Sequence, residues 1–165
     1  MSSYDALPKR SGRALVESCI SPDATRTSIA MNIKQGQTAT GALTVTADKV
    51  AAYAEVTGDF NPLHFDEEFT SKTRFGRLMA QCGIAVGLIH ALVAMDMPGP
   101  GTVFIRQEWQ FTAPVYIDDT ITAEGTVAEV MPEKSRAKID FTVITQDGTE
   151  VLNGKTYLYQ ATPVE

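Results

Sequence analysis

The sequence has little that would cross-link it, and little that would draw it to a polyanion. Only two cysteines occur, Cys19 and Cys82, and neither sits in a C-x-x-C pair. A disulfide framework and a zinc ribbon are therefore excluded, and a reducing, cytoplasmic setting is expected. Lysine and arginine number 14 against 20 acidic residues, for a formal net charge of -6. No basic run offers a face to phosphates, so a nucleic-acid partner is not expected. Met1 to Gly12 contain no apolar segment behind Lys9 and Arg10, and no export signal is read there. Low-complexity tracts and internal repeats are also lacking. With only two histidines in the chain, the acidic run Asp66-Glu67-Glu68 is a weak basis for a metal site, and an EF-hand loop would need glycine where His64 stands.

What is present is an ordinary globular composition. At 165 residues, 44% of them hydrophobic, the chain is long enough for one full core and too short for two comfortable domains. Residues 1 to 30 mix Ser, Pro, Arg and Asp around a weak apolar cluster at Ala14, Leu15 and Val16. They read as an N-terminal extension to a domain spanning 31 to 165. Thr-rich alternation from Gln37 to Thr46 predicts a strand. Thr46 then reads as the N-cap of a helix whose apolar stripe, Val50, Ala51, Tyr53, Ala54 and Val56, stops at Gly58. Glu67 to Lys72 suggests a short helix or turn. Leu78 to Met95 is apolar apart from Gln81, His90 and two glycines, Gly83 and Gly87. Alternating strands follow directly, so this segment reads as a buried helix enclosed by its own fold rather than a membrane span. Beyond the loop Met97 to Gly101, Thr102 to Phe111 alternates with Val103, Ile105 and Gln107 on one face and Phe104, Arg106 and Glu108 on the other. Strands over Thr120 to Val130, Ala137 to Thr145 and Val151 to Gln160 complete a meander, the last two joined by an Asp147-Gly148 hairpin signal. The fold class is α+β, a curled antiparallel sheet around a central helix, and its open edges favour a homodimer.

The chemistry concentrates in Gly58-Asp59-Phe60-Asn61-Pro62-Leu63-His64-Phe65-Asp66. Five residues apart, Asp59 and His64 would point roughly 140° away from each other on a continuous helix. Pro62 forbids that helix, since it removes a backbone donor and pushes Asn61 out of the helical region. A bent loop can then aim a carboxylate and an imidazole at one water for proton transfer. The alternative is structural: Asp59 caps a short helix and His64 is a satisfied, partly buried histidine.

Tyr53 to Asp66 contains the pattern D-x-N-P-x-H, and Phe75-Gly76, Pro98-Gly99-Pro100-Gly101 and Pro114 to Asp119 follow it in order. On these stretches, residues 33 to 160 resemble the MaoC-like hydratase family of hot-dog-fold proteins, which includes (R)-specific enoyl-CoA hydratases and hydroxyacyl-thioester dehydratases. The resemblance implies a hot-dog fold, Asp59 and His64 as the catalytic dyad, and the helix from about Leu78 as the buried one. It further implies water addition to a 2-enoyl thioester, or its reverse, on coenzyme A or an acyl carrier protein, with no metal or redox cofactor. Asn61 and Pro62 would shape the loop, and Lys72, Arg74 and Arg77 follow soon enough to meet substrate phosphates. The family usually carries His-Gly-Met where this chain reads Gln81-Cys82-Gly83. The thioester oxygen would then be met by backbone N–H groups of Cys82 and Gly83. The Cys82 side chain is read as small, inert and buried. A catalytically silent acyl-thioester binder and a thioesterase on the same fold are the rival readings.

Overall fold

The structure, a computed structural model, describes residues 31–161, and the expected extension at 1–30 lies outside them. In chain order the elements are β1 (Thr38–Thr44), α1 (Ala47–Thr57), α2 (Pro62–Phe65), α3 (Glu67–Ser71), α4 (Cys82–Met95), β2 (Thr102–Phe111), β3 (Thr120–Met131), β4 (Arg136–Thr145) and β5 (Glu150–Gln160). The strands form one antiparallel sheet in the order β1-β3-β4-β5-β2, so β1 and β2 are its edges. Helix α4 packs on one face.

Alternation on the central strands explains that packing. Ile121, Ala123 and Val127 of β3 and Ala137, Ile139, Phe141 and Val143 of β4 lie on one buried face, joined by Val151, Leu152 and Leu158 of the less regular β5. They meet Ile84, Ile89, Leu92 and Val93 of α4 in one continuous core. A side chain such as Ile89, fully buried, would cost about 2–5 kcal/mol if cut to alanine. At the β4–β5 turn Gly148 takes φ 85°, while Asp147 accepts from the Thr149 N–H at 3.1 Å. The Asp-Gly pair is thereby used as its sequence suggests.

Three expectations need correction. Helix α4 begins at Cys82, not Leu78. Met79 pairs with Tyr116 in an isolated β-bridge, and the Ala80 N–H donates to the Val115 carbonyl at 2.8 Å. This extended pairing outweighs the apolar run's helical tendency. Second, α4 is enclosed on one side only. Gly87, Ala91, Ala94 and Met95 remain exposed on the other, Met95 at 70%. Third, the alternation of β2 breaks at Ile105: Phe104 pairs with Leu158 but Arg106 with Tyr157, so Ile105 is an extra, bulged residue. The phase flips after it. Phe104 stacks on His90 at 4.5 Å, and beyond the bulge it is Gln107 that reaches the same ring, Nε2 to Nε2, at 2.9 Å. Arg106 and Glu108 form a surface pair at 2.7 Å, and Lys155 across the β2–β5 ladder reaches Glu108 at 3.0 Å. Lys155's hydrogen bond holds the Glu108 carboxyl below its ordinary value against the upward push of desolvation, and Arg106 adds a lesser downward pull.

Candidate active site

The dyad loop is made by two abrupt endings. Helix α1 stops at Gly58, whose φ of 78° only glycine adopts cheaply and whose N–H closes on the Ala54 carbonyl at 2.8 Å. Thr46 precedes the helix as expected but makes no side-chain cap bond. Three residues after Gly58, Asn61 caps α2, its side-chain oxygen accepting from the Leu63 N–H at 3.1 Å, with Pro62 in the first turn where no donor is needed. The cap is therefore Asn61, not Asp59. Asp66 in turn caps α3 by accepting from the Phe69 N–H at 2.9 Å.

The Asp59 carboxylate accepts from the Asn61 N–H through Oδ1 at 3.4 Å and turns Oδ2 to the imidazole. Its Oδ2 lies 3.6 Å from His64 Nε2, with His64 buried and the Asp59 side chain 45% exposed. That separation is too long for a direct hydrogen bond and suits two groups converging on one small molecule. The other ring nitrogen, Nδ1, is 2.6 Å from the Met79 carbonyl oxygen. A carbonyl can only accept, so Nδ1 carries a proton and donates it to Met79, which leaves Nε2 as the ring nitrogen that faces Asp59.

The residues that hold His64 also lead into α4. Met79 donates its N–H to the Leu63 carbonyl at 3.1 Å, Gln81 is the N-cap, and Cys82 and Gly83 open the helix. Their N–H groups have no partner four residues back and are available to an anion at the positive end of the helix dipole. Gly83 is required by packing. A Cβ there would overlap the Tyr53 hydroxyl and lie 2.6 Å from Tyr53 Cζ. A Cβ at Gly87, by contrast, meets nothing within 4 Å.

A cavity of about 210 Å³ opens beside this segment, walled by Arg74, Phe75, Met79, Cys82, Pro114 and Val115 among others. Neither dyad residue lines it. Cys82 is exposed rather than buried, because the first residue of α4 stands at the cavity wall instead of under the sheet. Of the three cationic candidates, Arg74 lines the cavity and lies over the Phe75 ring at 4.9 Å. Arg77 stacks on Tyr116 at 3.8 Å, and Lys72 is paired on the surface with Glu68 at 2.7 Å. Among the described residues no cluster of three His, Cys, Asp or Glu side chains is grouped to hold a metal, and no helix is long and apolar enough to cross a membrane.

Gln81 is a functional candidate that the sequence showed as a polar interruption and as the first residue of the departure from His-Gly-Met, with no role attached to its side chain. It is 97% buried, being 3% exposed, and its side-chain nitrogen donates to the Asp59 and Val50 carbonyls at 3.3 Å each. Its oxygen has no partner among the described residues.

The sequence family described as "MaoC like domain" matches residues 28–149. A 3-hydroxybutyryl-CoA dehydratase of Methylorubrum extorquens is 40% identical over 111 residues, covering 67% of this chain and 70% of that one. An (R)-specific enoyl-CoA hydratase of Rhodospirillum rubrum is 35% identical, covering 75% and 85%. Among solved structures, the (R)-hydratase from A. caviae superposes with a TM-score of 0.76 at 30% identity, covering 80% of this chain and all of that one.

Proposed function

The chain belongs to the MaoC-like domain family and has its hot-dog fold, and on that premise we propose that Asp59 and His64 add water to a 2-enoyl thioester, or remove it from the 3-hydroxyacyl thioester. Hydration and dehydration of thioesters is the activity of its relatives and of this protein. The observation that carries the residue assignment is the 3.6 Å approach of Asp59 Oδ2 to a His64 Nε2 whose partner nitrogen is tied to Met79.

Two acceptors facing each other hold a water by both its hydrogens and leave its oxygen lone pair free to attack. As that oxygen bonds to Cβ, one of the pair takes a proton from the water. The dyad returns a proton to Cα from the same side, so the double bond gains one hydroxyl and one hydrogen, and the base is regenerated. Charge that gathers on the thioester oxygen during the attack is met by the Cys82 and Gly83 N–H groups. Dehydration is the same path reversed. The cavity beside Cys82 takes part of the substrate's chain, and Arg74 is the cation best placed for a phosphate of coenzyme A or a carrier arm, ahead of Arg77 and Lys72. Two copies pair through the β2 edge, where Val103 and Ile105 are exposed at 49% and 41%.

The assay is loss of enoyl absorbance from crotonyl-CoA. Asp59→Asn keeps the shape and removes the charge, so turnover should fall by about 10²–10⁴-fold with the melting temperature almost unmoved. Near-normal turnover by that variant would sink the dyad. One observation favours a second reading, a silent thioester binder: Cys82 puts a side chain at the cavity wall where the family usually has glycine. Tight binding of the thioester with no loss of absorbance by the unmodified protein would select that reading, and release of free coenzyme A would select a thioesterase.

A further inference from the structure

We propose that Gln81 is a positioning residue, the tether that keeps the Asp59 carboxylate in register with the N–H groups at the start of α4. The assignment rests on the dyad reading above and adds a residue to it. Asp59 lies between two helices and belongs to neither. Its own N–H reaches the Thr57 hydroxyl at 3.3 Å and its Oδ1 accepts from the Asn61 N–H at 3.4 Å, both contacts within its own loop, whereas among the described residues the Gln81 amide, also at 3.3 Å, is the sole hydrogen-bond donor to its carbonyl and its link to α4. The same amide nitrogen holds Val50 in α1, so its two hydrogens serve two carbonyls on elements flanking the dyad.

The orientation of the amide is fixed by electrostatics. Turned over, it would present an oxygen to two carbonyl oxygens, a repulsion worse than leaving that oxygen without a partner, as it is now. Gln81 therefore reads as a donor that must point at Asp59. On its other side the chain continues straight into Cys82, whose N–H begins α4, while two residues earlier Met79 fixes the His64 tautomer. Residues 79 to 82 thus hold the acid, the imidazole and the anion-binding N–H groups with one short segment. Reaction between bound groups falls by about 10²-fold for a misplacement near 1 Å, so a residue that sets this spacing affects the rate without touching the substrate.

The test compares Gln81→Met, similar in length and without a donor, with Gln81→His, whose Nε2–H can donate from nearly the same reach. Crotonyl-CoA is the substrate, and the unmodified protein and Asp59→Asn run alongside. Gln81→Met should lower kcat by about 10- to 100-fold, leave KM within about threefold because cavity contacts are intact, and unfold at nearly the normal temperature. Gln81→His should recover most of the lost kcat. Should the methionine variant not fold, Gln81→Ala, whose vacated space a water can enter, takes its place with the same expected kcat loss. A folded variant lacking the donor yet turning over at the normal rate would overturn the assignment. So would a loss that disappears on cooling in step with the folded fraction, or a folded histidine variant as slow as the methionine one. An inactive unmodified protein, or an unimpaired Asp59→Asn, would instead bring down the dyad and the tether with it.

Discussion

Adding a single methyl at Gly83 should separate packing from chemistry at the start of the central helix. A Cβ at this position falls on the Tyr53 hydroxyl, with Cζ at 2.6 Å and Cε2 at 3.3 Å, where carbon atoms prefer about 3.5–4.0 Å. The ring must retreat by roughly 1 Å to restore that spacing. It has little freedom to do so, since Tyr53 rides on α1, which is anchored on its inner face by Val50 and Ala54, both essentially inaccessible. Overpacking of this kind costs about 1–3 kcal/mol. Alanine returns at most about 1 kcal/mol through its better helix propensity, so a mid-range overpacking cost of about 2 kcal/mol leaves a net loss of about 1 kcal/mol. For a domain of this size that lowers Tm by roughly 2–4 °C. Tyr53→Leu removes the hydroxyl and the far half of the ring, so in that background Gly83→Ala should cost nothing or stabilise by about 0.5–1 kcal/mol. Denaturant unfolding of the four proteins gives the coupling energy directly. Additivity within about 0.5 kcal/mol, or a Gly83→Ala protein as stable as its parent, would refute the contact.

Two further outcomes are expected. Cys82→Ala should keep a substantial part of the turnover while Cys82→Pro abolishes it, because only proline removes the N–H; circular dichroism must show α4 intact, and an alanine variant as inactive as Asp59→Asn would give the thiol a role of its own. Val103→Lys, placed on the β2 edge, should weaken self-association by about tenfold or more, since the two edges would then carry like charges toward each other. Light scattering during size exclusion reads this, and an unchanged dimer would move the contact to another face.

The strands, the limits of α1 and the bent loop that brings Asp59 near His64 were legible because each is written locally. Period-two burial, a glycine at the helix end and the D-x-N-P-x-H spacing lie within a few residues of what they determine. The start of α4 was not. Leu78 to Ala80 are as apolar as any helix, and only Val115 and Tyr116, some 35 positions later, draw them into extended pairing. The role of Gln81 depends on a carbonyl 22 positions earlier, and no periodicity carries that information. The exposure of Cys82 follows from where the helix starts, so it was misread for the same reason. Asp59 and Asn61 are comparable caps in isolation, and it was the position of Pro62 that assigned the role to Asn61.

The extra residue at Ile105 also bears on how a free edge avoids runaway polymerisation. Thr102 to Ile105 carries β-branched and aromatic side chains without a charge, at the rim of the sheet. Self-templating segments need about six or seven such residues in unbroken register. Here the run ends after four, because the bulge breaks the register and Arg106 and Glu108 follow on the exposed side. Deleting Ile105 would join Phe104 and Arg106 in one unbroken ladder with β5 while leaving Arg106 and Glu108 on their outward side, because the residue removed is the extra one. The uncharged stretch of this edge is thus too short to nucleate a fibre.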